Sequence, residues 1–265
     1  MLARSYLYVP GDNSRFLNKA SESNADVVIL DLEDSVKLEN KAIAENMVRD
    51  FLEGTNRDKI HLRIEPTRLS SLVDLINHVR ISKIVLPKVE SAIEVEEFNQ
   101  INKFNKPLHV LIESPRALEN ISAIAQAKNV RSLGIGELDF FSNISLFQDV
   151  HMSLKSVIRS KLVITSAAYG LNPPVAPVSI NFKDRASFMN ESKEFLQWGY
   201  WGRTCIHPTQ VEIANEVFSI SSELKVEARE ILESLRVSKL GATTSKEGAM
   251  IDQAHLRWAA RILEI

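Results

Sequence analysis

One cysteine, Cys205, is all that the 265 residues contain, so no internal disulfide can be drawn. It stands in WGRTCIHP, an apolar run that reads as a strand, where a packed thiol is expected rather than a nucleophile. Long apolar runs are missing as well. None nears the roughly eighteen residues needed to cross a bilayer, and MLARSYLYVPG lacks the continuous apolar core of a secretory leader. A cytoplasmic protein with no membrane partner is therefore expected. Neither charge sign dominates: a net charge of -2 supplies no bulk field for nucleic acid or a lipid surface. Glycine is scarce where a nucleotide-binding fold would concentrate it, since VPGDNSR after the first apolar run carries only Gly11. Tandem repeats, low-complexity tracts and long linkers are absent.

What remains is a well-stocked globular chain, 45% hydrophobic and 25% charged, able to bury a large core. SYLYVP, DVVILDLE, KIHLRIE, SKIVLPKV, LHVLIES and VRSLGIG are apolar runs rich in Val, Ile and Leu, and each precedes a helix-compatible stretch. Asn13, Ser71 and Ser91 are plausible caps for three of those helices. LVITSAA continues the helical intervals of QDVHMSLKSVIRSKLVITSAAYG and is read as helix, closed by Gly170. APVSI and RTCIHP then supply a seventh and an eighth strand. Eight alternating units predict an α/β TIM (β/α)8 barrel over residues 1–220, with an open doubly wound sheet as the alternative. Residues 221–265 read as a helical arm, hinged at GATTSKEGAMID, lying over the active-site face or reaching a neighbouring subunit.

Polar groups close several of these runs. Glu113 ends LHVLIES, and Asp139 follows VRSLGIG; on neighbouring strands about 4.8 Å apart, their carboxylates converge at the C-terminal face of a barrel. Hard oxygen donors of this kind suit Mg2+, which takes one or two protein carboxylates and completes its octahedron with water and substrate. Charge at the end of a strand buried on both faces is costly unless it is paired or metal-bound. Arg63 can pair with the acids of DLEDS or clamp a substrate carboxylate with its planar fork. Glu33 and Asp34 are placed to orient Arg63 and metal-bound water. Lys88 can neutralise developing negative charge or pair with the same acids. Its acidic surroundings argue against a Schiff-base lysine. His207, before Pro208, reads either as a general base or as the residue that fixes the next helix. Glu137 is a further acid, either behind Asp139 or facing solvent.

RSYLYVPGDNSRFLNKA, VVILDLEDSV, LRIE, IVLPKVES, LIESPRAL, LGIGELDF, RTCIHPTQVEIANEVF and GAMID together resemble the citrate lyase β-subunit-like branch of the HpcH/HpaI aldolase superfamily, in order and over nearly the whole chain. The resemblance implies a TIM barrel and Mg2+-dependent making or breaking of a carbon–carbon bond. The substrate it implies is a β-hydroxyacyl-CoA such as citryl-CoA or malyl-CoA, yielding an acyl-CoA and an α-keto acid through an enolate. It places the metal on Glu113 and Asp139 and the keto-acid carboxylate on Arg63. Asp252 would work at the acyl-CoA carbon in an adjacent subunit of a homotrimer or hexamer, and Arg15 and Lys19 would lie near CoA. Two departures stand out: Glu65 replaces the usual asparagine, and APVSINFKD lacks an early aspartate. A CoA-independent class II aldolase for pyruvate or another small keto acid, or a non-catalytic metabolite-binding subunit, are the other readings these departures leave open.

Overall fold

The computed structural model describes residues 2–144, 152–237, 243–244 and 250–264. They form two compact units, one running from Ala3 to Val217 and the other comprising Leu2 and the described residues from Phe218 onward. The first is a mixed α/β unit whose parallel sheet curves into a half-barrel. Its strands are β1 (Ser5–Pro10), β2 (Val27–Asp31), β3 (Ile60–Arg63), β4 (Ile81–Leu86), β5 (Leu108–Ile112), β6 (Val130–Ile135) and β7 (Arg203–Cys205). They pair in the order β6-β5-β4-β3-β2-β1-β7, without the reversal that marks a doubly wound sheet.

Burial explains the composition of the strands. Every residue of β2 and of β5 is buried, which demands cover on both faces and hence the unbroken VVILD and LHVLI runs. Val27, Ile29, Val85 and Leu111 meet inside the curved sheet, with Tyr6 and Tyr8 packed against them. Each such aliphatic contributes about 1.5–3 kcal/mol by leaving water. The two-residue period of a strand carries this inner face onward. Asp31 follows Val27 and Ile29, Arg63 follows His61, and Glu113 follows His109 and Leu111. The apolar interior thus ends in a ring of charge at one mouth.

Several local expectations hold. Asn13 and Ser91 cap helices Ser14–Ser21 and Ala92–Ile101 with their side chains. LVITSAA is helical within Met152–Ala168, and Gly170 follows at φ +64, the left-handed conformation glycine tolerates. The expected start of that helix, residues 148–151, lies outside the described residues, as does most of the turn at 241–249. Two expectations fail. LVDLINHVR yields a single turn, Val73–Ile76, because a 3-10 stretch precedes it and β4 already begins at Ile81. APVSI makes no strand: Val175 and Ala176 form isolated parallel bridges to Gly134 of β6 and Arg203 of β7. Pro173, Pro174 and Pro177 flank those two residues and withhold the N–H groups a longer ladder needs.

In the second unit, helices Ser222–Val237 and Gln253–Glu264 pack through Ala228, Ile231, Leu235, Ile251 and Ala259. Thr243–Thr244 pairs antiparallel with Met250–Ile251. Among the described residues, no helix is long and apolar enough to cross a membrane.

Candidate active site

The charged ring is wired together tightly. Register sets Asp31 beside Arg63, and the Arg63 guanidinium gives Nε and Nη2 to the two Asp31 oxygens, each at 2.6 Å, while Nη1 lies 3.2 Å from Glu33 Oε2. Asp31 also accepts the backbone N–H groups of Glu33 and Ser35. Burial works to raise the Asp31 carboxyl, but these hydrogen bonds outweigh it and hold the group below the usual carboxylate range. Lys88 Nζ pairs with Glu33 Oε1 and lies 2.8 Å from Asp34 Oδ1. The fully buried Glu33 is raised by its burial and by the hydrogen bond shared with Asp34. The pairing of Arg63 with the acids of DLEDS is thus present in full. The Nε edge of its fork is spent on Asp31, Nη1 lies against Glu33, and the guanidinium carbon rests over the Tyr8 ring, 4.8 Å from its centroid.

Glu65 does not crowd Arg63. It takes Lys41 Nζ at 3.1 Å, and the same ammonium donates to the carbonyls of Leu32 and Glu33 at 2.9 and 2.7 Å, pinning the DLEDS turn. Nothing in the sequence around Lys41 signalled that role. Its position inside an ordinary amphipathic helix, Lys41–Gly54, hides a buried cation.

Beside this network, Arg63, Glu113 and Asp139 line one narrow cavity of about 90 Å³. Glu113 is 5% exposed, and its Oε2 accepts the Lys88 N–H at 2.7 Å. Lys88 reaches that geometry at φ +55, a left-handed backbone that lysine adopts only under compulsion from its surroundings. On the other side, a Cβ at Gly136 would stand 2.5 Å from Glu113 Oε1, so glycine there makes the cradle. Asp139 sits in the first turn of helix Glu137–Ser142, just past β6, and is exposed. Glu137 is not free: Arg159 holds it with bonds of 2.6 and 2.9 Å.

Neither Glu113 nor Asp139 has a lysine or arginine side-chain partner among the described residues. Burial pushes the Glu113 carboxyl up to about 7; the charges of Asp139 and Glu33 add to the shift, and the Lys88 N–H and the Arg63 charge oppose it. Glu113 and Asp139 thus bring two carboxylates to one cavity. The donor set is hard oxygen, which fits a divalent ion with most of its coordination left to water and substrate. Among the described residues, no three His, Cys, Asp or Glu side chains cluster to hold an ion alone.

The other expected residues lie elsewhere. Arg15 and Lys19 are exposed on helix Ser14–Ser21 and do not line the cavity. A roomier groove of about 680 Å³ runs between that helix and Lys41–Gly54, but it holds none of the strand-end acids. Asp252 belongs to the second unit, where it caps helix Gln253–Glu264 by accepting the N–H of Ala254 at 2.8 Å and meets His255 Nδ1 at 2.9 Å. His207 fixes the next helix: its Nδ1 contacts Thr209 Oγ1 at 2.9 Å, and its ring stacks on Phe182. Cys205 is buried and its thiol is pushed up to about 12 by that burial, as an inert packed residue requires.

Comparison with known proteins gives the class, carbon–carbon lyases. The chain belongs to the HpcH/HpaI aldolase/citrate lyase family, whose model matches residues 4–208. It is 29% identical over 271 residues to a (3S)-malyl-CoA thioesterase of Cereibacter sphaeroides, covering 98% of this chain and 93% of that one. Identity is 28% over 298 residues, with the same coverage, to an L-malyl-CoA/beta-methylmalyl-CoA lyase of the same species. Among solved structures, protein CitE of Mycobacterium tuberculosis, in complex with magnesium, acetoacetate and coenzyme A, superposes with a TM-score of 0.78. Identity there is 26%, covering 98% of this chain and 96% of that one.

Proposed function

We propose that the chain is a Mg2+-dependent carbon–carbon lyase that cleaves or forms a β-hydroxyacyl-CoA, such as citryl-CoA or malyl-CoA, interconverting it with an acyl-CoA and an α-keto acid. The observation that carries this reading is Glu113, a buried carboxylate with no lysine or arginine ion pair among the described residues, which lines one cavity with Asp139 and Arg63. Glu113 and Asp139 would hold the ion, and Mg2+ bound there supplies Lewis acidity toward the substrate oxygens. Arg63 donates from Nη1 to the keto-acid carboxylate, held in place by Asp31 and Glu33. Lys88, anchored by Glu33 and Asp34, offsets negative charge at the mouth and positions Glu113 through its own backbone N–H. Asp252 moves the proton at the acyl carbon.

Several finer points belong to the same proposal. Val175 and Ala176, bridging β6 and β7, would serve as the last stave of a closed eight-membered TIM barrel over residues 1–220. Residues 221–265 would form an arm whose Asp252 serves a neighbouring subunit of a homotrimer or hexamer, and Arg15 and Lys19 would meet CoA. The protein would work in the cytoplasm. The likeness to malyl-CoA lyases and to a magnesium- and coenzyme A-bound CitE supports the metal and the thioester together.

The test is a screen of acyl-CoA and keto-acid pairs, and of their β-hydroxyacyl-CoA products, with and without Mg2+, read by mass spectrometry. Acyl-CoA and keto acid appearing together, in proportion, bear the reading out. Free CoA with an intact hydroxy acid would instead point to thioester hydrolysis, the activity named for one relative. Turnover of free keto acids alone would make the chain a class II aldolase, and no turnover at all a binding subunit.

A further inference from the structure

The cavity continues beyond the acids. Below Glu113 and Leu111 on the inner face of β5 it reaches His109, and Gly134 of β6 opens the way. A Cβ on Gly134 would stand 2.6 Å from His109 Nε2, so the ring packs close against residue 134 only because that residue has no side chain, and both line the cavity. His109 Nδ1 lies 2.9 Å from Ser132 Oγ, and Ser132 Oγ in turn lies 3.5 Å from Lys83 Nζ. Lys83 has no carboxylate partner among the described residues.

This chain of contacts fixes a proton. Burial pushes the Lys83 ammonium down to about 8, which leaves it protonated at neutral pH, and an ammonium only donates, so Lys83 takes one lone pair of Ser132. The buried Ser132 hydroxyl then has a single acceptor among its contacts, His109 Nδ1, and a buried hydroxyl proton left unused is costly. His109 must therefore carry its own proton on Nε2, which has no partner among the described residues. Burial and the nearby Lys83 hold the imidazole down to about 3, so the ring stays neutral at physiological pH.

We propose that His109 is a positioning residue at the deep end of the cavity, donating Nε2–H to an oxygen on the substrate terminus remote from Glu113 and Asp139, with Ser132 and Lys83 fixing its tautomer and lending positive potential. The site then prefers a keto acid that ends in a carboxylate over one of equal length that ends in a methyl group. This inference rests on the reading of the cavity as a keto-acid site.

Calorimetric titration of the full chain in Mg2+ with freshly prepared oxaloacetate and with 2-oxobutyrate tests it, since the two differ only at the far terminus. Oxaloacetate should bind about tenfold tighter, the usual worth of a hydrogen bond to a charged group. His109→Leu should abolish that preference while leaving 2-oxobutyrate within about twofold, and His109→Gln, which keeps an N–H, should restore part of it. Nitrogen-15 spectra of the wild-type protein, which require no variant to fold, should show the Nε2–H tautomer. An Nδ1–H tautomer, equal affinity for the two acids, or equal losses in His109→Leu would overturn the inference. Binding of neither acid would overturn it together with the keto-acid site. A clear preference without any acyl-CoA turnover would sink the lyase reading and leave His109 standing.

Discussion

Replacing Glu113 with glutamine should make the metal-free protein more stable, and only above mildly acidic pH. The wild-type carboxyl is raised to about 7 from a reference of 4.5, chiefly by burial. A group whose folded value is raised stabilises the fold in its protonated form: that stability is complete below the unfolded value and is lost as pH rises through the folded one. The shift corresponds to about 3 kcal/mol, an upper figure because water reaches part of the cavity. Glu113→Gln keeps an acceptor for the Lys88 N–H, so it removes the charge with little change in packing. Urea unfolding in EDTA from about pH 4.5 to pH 8.5 should show the two proteins converging at the acid end and the variant gaining at the alkaline end. Millimolar Mg2+ should then stabilise the wild type and not the variant, because only a ligand that binds the folded form shifts the equilibrium. A wild-type-minus-variant difference that stays flat across that range would refute the claim that burial raises the Glu113 carboxyl.

Other perturbations test the surroundings. Gly136→Ala drives a methyl onto Glu113 Oε1 and should cost about 1–3 kcal/mol in thermal or urea unfolding while weakening Mg2+ binding. Lys41→Met strips the partner from Glu65 and from two buried carbonyls and should destabilise the fold by about 3–5 kcal/mol, read by denaturant midpoint, although none of the three groups it bonds lines the cavity. Asp252→Asn keeps a helix-capping side chain, so unfolding should be nearly unchanged while kcat falls about 100-fold or more with KM held, provided Asp252 moves the proton.

The first six strands were legible because a parallel sheet covered on both faces leaves unbroken apolar runs, and the ends of those runs announced Asp31, Arg63 and Glu113. The seventh was misjudged: APVSI has the composition of a strand, but the prolines around Val175 and Ala176 leave room for two bridges only. Asp139 was found by proximity to a strand end, although it belongs to the helix that follows. The groups that hold the site were invisible. Lys41 and Arg159 sit in amphipathic helices whose pattern says nothing about which cation turns inward, and the tautomer of His109 depends on Ser132 and Lys83, which only register brings together.

Gly134 and Gly136 are alternate residues of one chain segment, both turned toward the same hollow, and their missing methyls do different things. Restoring carbon at the deeper position would shorten the chamber and leave the acids untouched; restoring it at the shallower one would dislodge a carboxylate and leave the depth unchanged. With the keto acid in this cavity as proposed, reach and metal binding would answer to two separate hydrogens, so a lineage could alter the size of the molecule it accepts without disturbing the acids.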